Sequence, residues 1–156
     1  MNAAGNSPAP QGQAHQATAV AINGRAVLIE GPPGAGKSTL ALALIDRGAV
    51  LVGDDGVWLR AERGRLWAAP HPRTQGLIEV RNLGILAAAD LGWPVCPQAP
   101  VALVLVLDVA APRFIEAPEA RQIAGIGLPQ LRLWPGGEGL ALKAELALAR
   151  HGLAAI

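Results

Sequence analysis

Residues Gly31-Pro32-Pro33-Gly34-Ala35-Gly36-Lys37-Ser38 match the pattern G-x-x-x-x-G-K-[ST] at every fixed position. The pattern has a mechanical reading. Glycines leave the backbone uncovered, so successive N–H groups can converge on phosphate oxygens where side chains would block them. A helix that starts at the end of the loop adds the positive end of its dipole. Lys37 can then reach the outer phosphates of a nucleotide, and the Ser38 hydroxyl can ligate Mg²⁺. Such a P-loop needs a strand before it and a helix after it. Ala26-Val27-Leu28-Ile29 precedes it as an apolar strand. Ser38–Asp46 follows with Leu40, Leu42, Leu44 and Ile45 at helical spacing, and Gly48 is placed to stop the helix. The candidate nucleotide-binding set is therefore Gly31, Pro32, Pro33, Gly34, Ala35, Gly36, Lys37, Ser38 and Thr39.

Around this unit the sequence spells further strands. Ala17–Ile22 and Ala26–Glu30 flank Asn23-Gly24, a strong two-residue hairpin turn. Val50–Val52 is short and wholly apolar, as in a sheet buried on both faces. Val57–Arg60 and Arg65–Ala68 form a second hairpin turning at Glu62-Arg63-Gly64, and Pro70–Gln75 is loop. Leu77–Val80 reads as a strand or the approach to a helix, and Val101–Asp108 as a strand. Leu140–Arg150 carries Leu142, Leu146 and Ala149 on one helical face, with Gly152 as its stop. The expected fold class is α/β, a P-loop-containing mixed sheet with flanking helices and hairpins. Residues 1–14 form an expected disordered tail, and residues 15–156 one domain.

Bulk properties exclude several classes. With 51% hydrophobic and 16% charged residues over 156 positions, the chain can bury a core. A net charge of +1 gives no electrostatic case for nucleic acid or an acidic membrane as partner. Cys96 is the one cysteine, so no disulfide can form within the chain. The longest apolar run, Val101–Leu107, falls well short of the roughly 20 residues of a membrane span. The N-terminus has neither a charged nor a hydrophobic signal region, so a cytoplasmic protein is expected.

Phosphoryl transfer also needs a metal-associated carboxylate and a group that orients or deprotonates the acceptor. Asp108 ends the apolar run Val104-Leu105-Val106-Leu107, in the manner of the Walker B strand of P-loop ATPases and nucleotide kinases. Asp54-Asp55 ends the strand after the P-loop helix, whose carboxyl end falls on the phosphate-loop edge in a parallel α/β unit. Either aspartate can instead be a strand-to-turn cap.

Two further segments carry a resemblance. Leu77-Ile78-Glu79-Val80-Arg81-Asn82-Leu83-Gly84-Ile85 resembles the E-[IV]-R-G-L-G-I signature of HPr kinase/phosphorylase, the bifunctional bacterial enzyme acting on a serine of the phosphocarrier HPr. Arg47-Gly48-Ala49-Val50-Leu51-Val52-Gly53-Asp54-Asp55 resembles that family's R-G-h-x-L-V-x-D-D. With the P-loop, three ordered motifs agree over roughly residues 15–86, as in short single-domain members of the family. The resemblance implies an ATP- and Mg²⁺-dependent serine kinase with an HPr-like carrier as partner, working as a homo-oligomer, a hexamer in the family. It makes Asp54 the base of the forward reaction and the acid of the reverse one. Ser38 and Glu79, with Asp55 beside them, would hold Mg²⁺, and Lys37 would neutralise the transferring phosphoryl. Arg81 belongs to the signature, and Arg113 in Pro112-Arg113-Phe114 corresponds to a catalytic arginine beyond the central strand.

The chain also departs from that pattern. Gln16 falls where the family has a histidine that assists the aspartate, with His15 one residue early; one inserted residue makes His15 the match. Thr39 replaces an acidic residue, Pro33 a serine and Asn82 a glycine. The segment Leu131–Gly137 is short beside the region that the family uses for dephosphorylation. Two other readings stay open: a small-molecule P-loop kinase or ATPase relying on Asp108, and a non-catalytic nucleotide sensor. Trp58 and Trp67 read as hairpin packing, His71 as a loop residue, and His151 as a charge suited to a helix C-terminus.

Overall fold

A computed structural model describes residues 12–156. Residues 1–11, most of the expected tail, lie outside the described residues. Ordered pairing begins earlier than expected, because β1 (Gln13–His15) pairs antiparallel with β5 (Val57–Glu62).

β2 (Thr18–Ile22) and β3 (Arg25–Glu30) form the hairpin, turning at Asn23-Gly24 with both residues at positive φ (50° and 81°). β3 runs into the glycine loop, and α1 (Lys37–Asp46) leaves it. β4 (Val50–Gly53) returns beside β2 in antiparallel pairing. Because β2 opposes both β3 and β4, those two strands run the same way and end at one edge. β6 (Arg65–Pro70) pairs with β5.

The nine-residue β9 (Ala99–Leu107) is the axis of the sheet. It runs parallel to β3 along one side. On its other side, its first residues pair with β6 and its last ones with β11 (Ile126–Leu133), which runs parallel to it. β10 (Glu119–Ile123) completes the sheet beside β11. β7 (Leu77–Val80) and β8 (Gly84–Ala87) form a separate hairpin, followed by α2 (Ala88–Leu91). α3 (Leu140–His151) closes the described chain. This is a mixed α/β architecture with a curled sheet in which antiparallel pairs predominate. No described helix is long and apolar enough to cross a membrane.

The sheet is covered on both faces, which explains its continuous apolar strands. Val27, Ile29, Leu103, Leu105 and Leu107 face α1 and α3 and pack with Leu40, Leu44 and Leu148. Their neighbours Ala26, Leu28, Val101 and Val104 face the inside of the curl, with Val57, Leu59 and Leu66. Each fully buried Leu or Val contributes about 1.5–3 kcal/mol by leaving water. The two packed layers thus hold β3 and β4 rigidly, and with them the loops at their carboxyl ends.

Candidate active site

The glycine loop bends as its sequence demands. Gly36 sits at φ 100°, a left-handed conformation, immediately before α1. Gly31, at φ 155°, passes so near β9 that a Cβ there would lie 3.1 Å from the Leu107 carbonyl oxygen. No side chain caps α1 and its first turn holds no acid, so its leading N–H groups and dipole are available to an anion. Lys37 Nζ donates to the carbonyls of Gly31 (2.9 Å) and Pro32 (3.2 Å), which keeps its charge over the loop.

Asp54 follows β4 directly, is only 7% exposed, and is held on three sides. Its Oδ1 accepts from Ser38 Oγ at 2.6 Å and from the buried Thr18 Oγ1 at 2.9 Å. Its Oδ2 accepts from the Glu79 backbone N–H at 2.8 Å. Helix α1, β2 and the β7–β8 hairpin therefore converge on one carboxylate. An ionised carboxylate offers roughly four lone-pair positions. The protein fills three, and a position on Oδ2 remains for a further donor.

These groups line an open cleft of ≈ 850 Å³ that also takes in Asp55, Glu79, Arg81 and Thr39. Asp55 occupies a left-handed turn (φ 56°) and is exposed. Glu79 is tied by its backbone to Asp54, with its side chain exposed at the cleft. Arg81 and Asn82 form the turn of the β7–β8 hairpin, where Asn82 takes φ 74° in place of a glycine.

The other sequence candidates lie elsewhere. His15 Nε2 meets Glu30 Oε2 at 2.7 Å, while its neighbour Gln16 lines the cleft. Arg113 is exposed outside the cleft lining, its guanidinium 5.6 Å from the centre of the Phe114 ring. Asp108 is at the loop edge, but its carboxylate accepts from the Ala110 N–H (2.8 Å) and Arg132 (3.1 Å). The Ala110 bond first, and then Arg132, hold its carboxyl below the ordinary range. It is not among the residues lining the cleft. His71 packs edge-on against Trp58, with ring centres 6.2 Å apart.

Thr18, Glu30 and Arg121 were not singled out from the sequence. Glu30 lines the cleft at the foot of the loop, where a bare carboxylate would repel phosphate. Arg121 from β10 donates to both its oxygens (3.0 and 3.3 Å), and His15 approaches Oε2. Burial pushes the Glu30 carboxyl up, yet the His15 and Arg121 hydrogen bonds and charges outweigh it and hold the carboxyl below its usual range. A charged residue ending an apolar strand next to Gly31 was the available signal for Glu30. Arg121, 91 positions away, had none.

The oxygen donors at the cleft suit a hard cation: the Ser38 hydroxyl and the carboxylates of Asp54, Asp55 and Glu79. Among the described residues no three His, Cys, Asp or Glu side chains are grouped to hold a metal by themselves.

Known proteins resemble this chain in sequence and in fold. A family model described as the HPr Serine kinase C-terminal domain matches residues 7–112. The HPr kinase/phosphorylase of Streptococcus thermophilus is 34% identical over 122 residues, covering 73% of this chain and 40% of that protein. The HPr kinase/phosphorylase of Clostridium tetani is 40% identical over 91 residues, covering 58% of this chain and 30% of that protein. The chain thus spans less than half the length of these curated relatives. The solved Hpr(Ser) kinase/phosphatase from Coxiella burnetii superposes with a TM-score of 0.79 at 30% identity, covering 88% of each chain. From the matched family and the shared fold, the chain belongs to the HPr Serine kinase C-terminal domain family.

Proposed function

We propose that the protein transfers the γ-phosphoryl group of ATP to a serine hydroxyl of an HPr-like phosphocarrier, with Mg²⁺, in the cytoplasm. The observation that carries this reading is the Asp54 carboxylate, bonded to the P-loop serine and retaining an acceptor position on Oδ2. A nucleotide in the loop presents its outer phosphate near Ser38, and so near Asp54. A serine hydroxyl entering the cleft donates to Asp54 Oδ2, which orients it and takes its proton as the oxygen attacks the γ-phosphorus and the bond from that phosphorus to the bridging oxygen breaks, releasing ADP. General-base assistance of this kind is worth about 10²–10⁴-fold. Lys37 and the first-turn N–H groups of α1 offset the negative charge of the phosphates. Ser38 and Glu79, with Asp55 beside them, would hold Mg²⁺, which would supply further charge neutralisation when bound. Arg81, exposed at the cleft rim, is placed to meet an acidic partner or a phosphate. The reverse transfer belongs to the same proposal: an oxygen of inorganic phosphate attacks the phosphoserine phosphorus to give pyrophosphate, the bond to the serine oxygen breaks, and protonated Asp54 returns its proton to that oxygen.

The rival acid is Asp108, and its carboxylate is already engaged by Arg132 and Ala110. Asp54→Asn and Asp108→Asn separate the two. The asparagine amide at position 54 can donate to the Thr18 and Ser38 hydroxyls while its oxygen accepts from Glu79, so the fold is kept. Measured with labelled ATP and a purified carrier, Asp54→Asn is expected to lose transfer about 10²–10⁴-fold while still binding ATP. Asp108→Asn is expected to retain it. The opposite pattern would overturn the assignment.

A further inference from the structure

We propose that Trp134 is the stacking platform for the nucleotide base, on the side of the loop away from Asp54. The inference rests on the nucleotide reading above and adds where the nucleoside end lies. Ser38 is bonded to Asp54, so the reacting end of a phosphate chain in the loop faces β2 and β4. The nucleoside is attached at the other end of that chain. It leaves the loop in the opposite sense, across the carboxyl ends of β9 and β11. The cleft on the Asp54 side, bounded by the hairpin turn at Arg81 and Asn82, is left to the incoming serine.

The edge on the β9 side is continuous with the loop. Gly31 nearly touches the Leu107 carbonyl, and the Asp108 N–H donates to the Leu133 carbonyl at 2.9 Å. Leu107 pairs in parallel register with Leu133. Loop, β9 end and β11 end are thus successive steps along one edge, about 5 Å per strand. Trp134 directly follows β11 and is 55% exposed; beyond β9, past Asp108, Val109 is 80% exposed. Trp134 is also held in place. A Cβ at Gly136 would collide with the indole, so the ring lies against the Gly136 backbone, an approach that only glycine permits. Backing on one side and exposure over half the residue make a rigid aromatic platform, which loses little freedom when a base covers it. The neighbouring Arg132 is held by Asp108 and Glu119. Recognition here is by stacking, which accepts any base with a large π-face and favours purines over pyrimidines.

The test is calorimetric titration of the full chain, in Mg²⁺, with ATP and with inorganic tripolyphosphate, which has no base. Trp134→Leu is expected to weaken ATP about ten-fold, about 1.4 kcal/mol, and to leave tripolyphosphate unchanged. Trp134→Phe keeps an aromatic face and is expected to recover most of the loss. Equal ATP affinity in wild type and Trp134→Leu overturns the platform, as does an equal loss for both ligands, which marks a structural role only. Wild-type protein that binds neither ligand overturns the nucleotide reading itself, a result distinct from the other two.

Discussion

Replacing Thr18 by Val tests whether the Asp54 carboxylate is held by the protein rather than merely near it. Val has the shape of Thr and suits a strand, so the change removes one hydroxyl from a fully buried site in β2. That hydroxyl donates to Asp54 Oδ1 at 2.9 Å, and the Asp55 N–H reaches it only at 3.4 Å. A hydrogen bond to a buried charged group is worth about 1.5–3 kcal/mol, so the loss is about 2 kcal/mol. A domain of this size loses about 2–4 °C of Tm per kcal/mol, which places the shift at about 4–8 °C. The carboxylate keeps Ser38 and Glu79, so it stays in the site with one anchor fewer. Small displacements of a reacting group cost heavily in rate, and kcat is expected to fall about ten-fold. Thermal unfolding by circular dichroism reads the first quantity, and single-turnover transfer reads the second. Thr18→Ser restores the hydroxyl and is expected to recover most of both. A Thr18→Val protein that melts within about 1 °C of wild type, or a Thr18→Ser protein as impaired as Thr18→Val, would refute the reasoning.

Acid stability reports on Glu30. Its folded carboxyl titrates below the ordinary 4.5, so its contribution is present above that pH and is lost as pH falls through the depressed value. Glu30→Gln is expected to flatten that part of the Tm-against-pH curve, and an unchanged acid limb would contradict the ion cluster. Gly53→Ala is expected to impair transfer although position 53 has no polar side chain. The new Cβ would lie 2.7 Å from the Gly56 carbonyl oxygen and 2.9 Å from Val57, forcing apart the turn that carries Asp54. A stability loss of about 1–3 kcal/mol, read by denaturant unfolding, should accompany it. Chelation of divalent metal is expected to abolish transfer and leave the melting temperature of the nucleotide-free protein unchanged, since no described cluster holds a metal on its own.

The elements legible in the sequence are those whose signals are local. The loop, its strand and its helix lie within consecutive residues, and Asn23-Gly24 announces its hairpin. Asp54 was legible because β4 follows α1 closely and ends at the same edge as the loop. Other elements are created by pairing. Gln13-Ala14-His15 has no strand pattern and becomes β1 only beside β5. Glu119-Ala120-Arg121-Gln122 is too polar to read as a strand, yet β11 pairs with it along its whole length. The hydroxyl of Thr18 looked like one position in an apolar run until β4 and α1 brought Asp54 to it. The His15–Glu30–Arg121 cluster was hidden for the same reason, joining a strand end, the foot of the loop and a strand from the far part of the chain. Trp134 carries no local signal, because its setting, an edge shared by β3, β9 and β11, exists only after the parallel strands pair.

The central claim is that this cleft delivers phosphate to a serine of a carrier protein, and direct detection of that product tests it. The full chain is incubated with γ-labelled ATP, Mg²⁺ and a purified HPr-like carrier, and the carrier is digested and mapped. Label is expected on one serine, absent when that serine is replaced by alanine and slowed about 10²–10⁴-fold when the chain carries Asp54→Asn. A carrier that stays unlabelled while ATP is bound, or label that persists at full rate in Asp54→Asn, would contradict it.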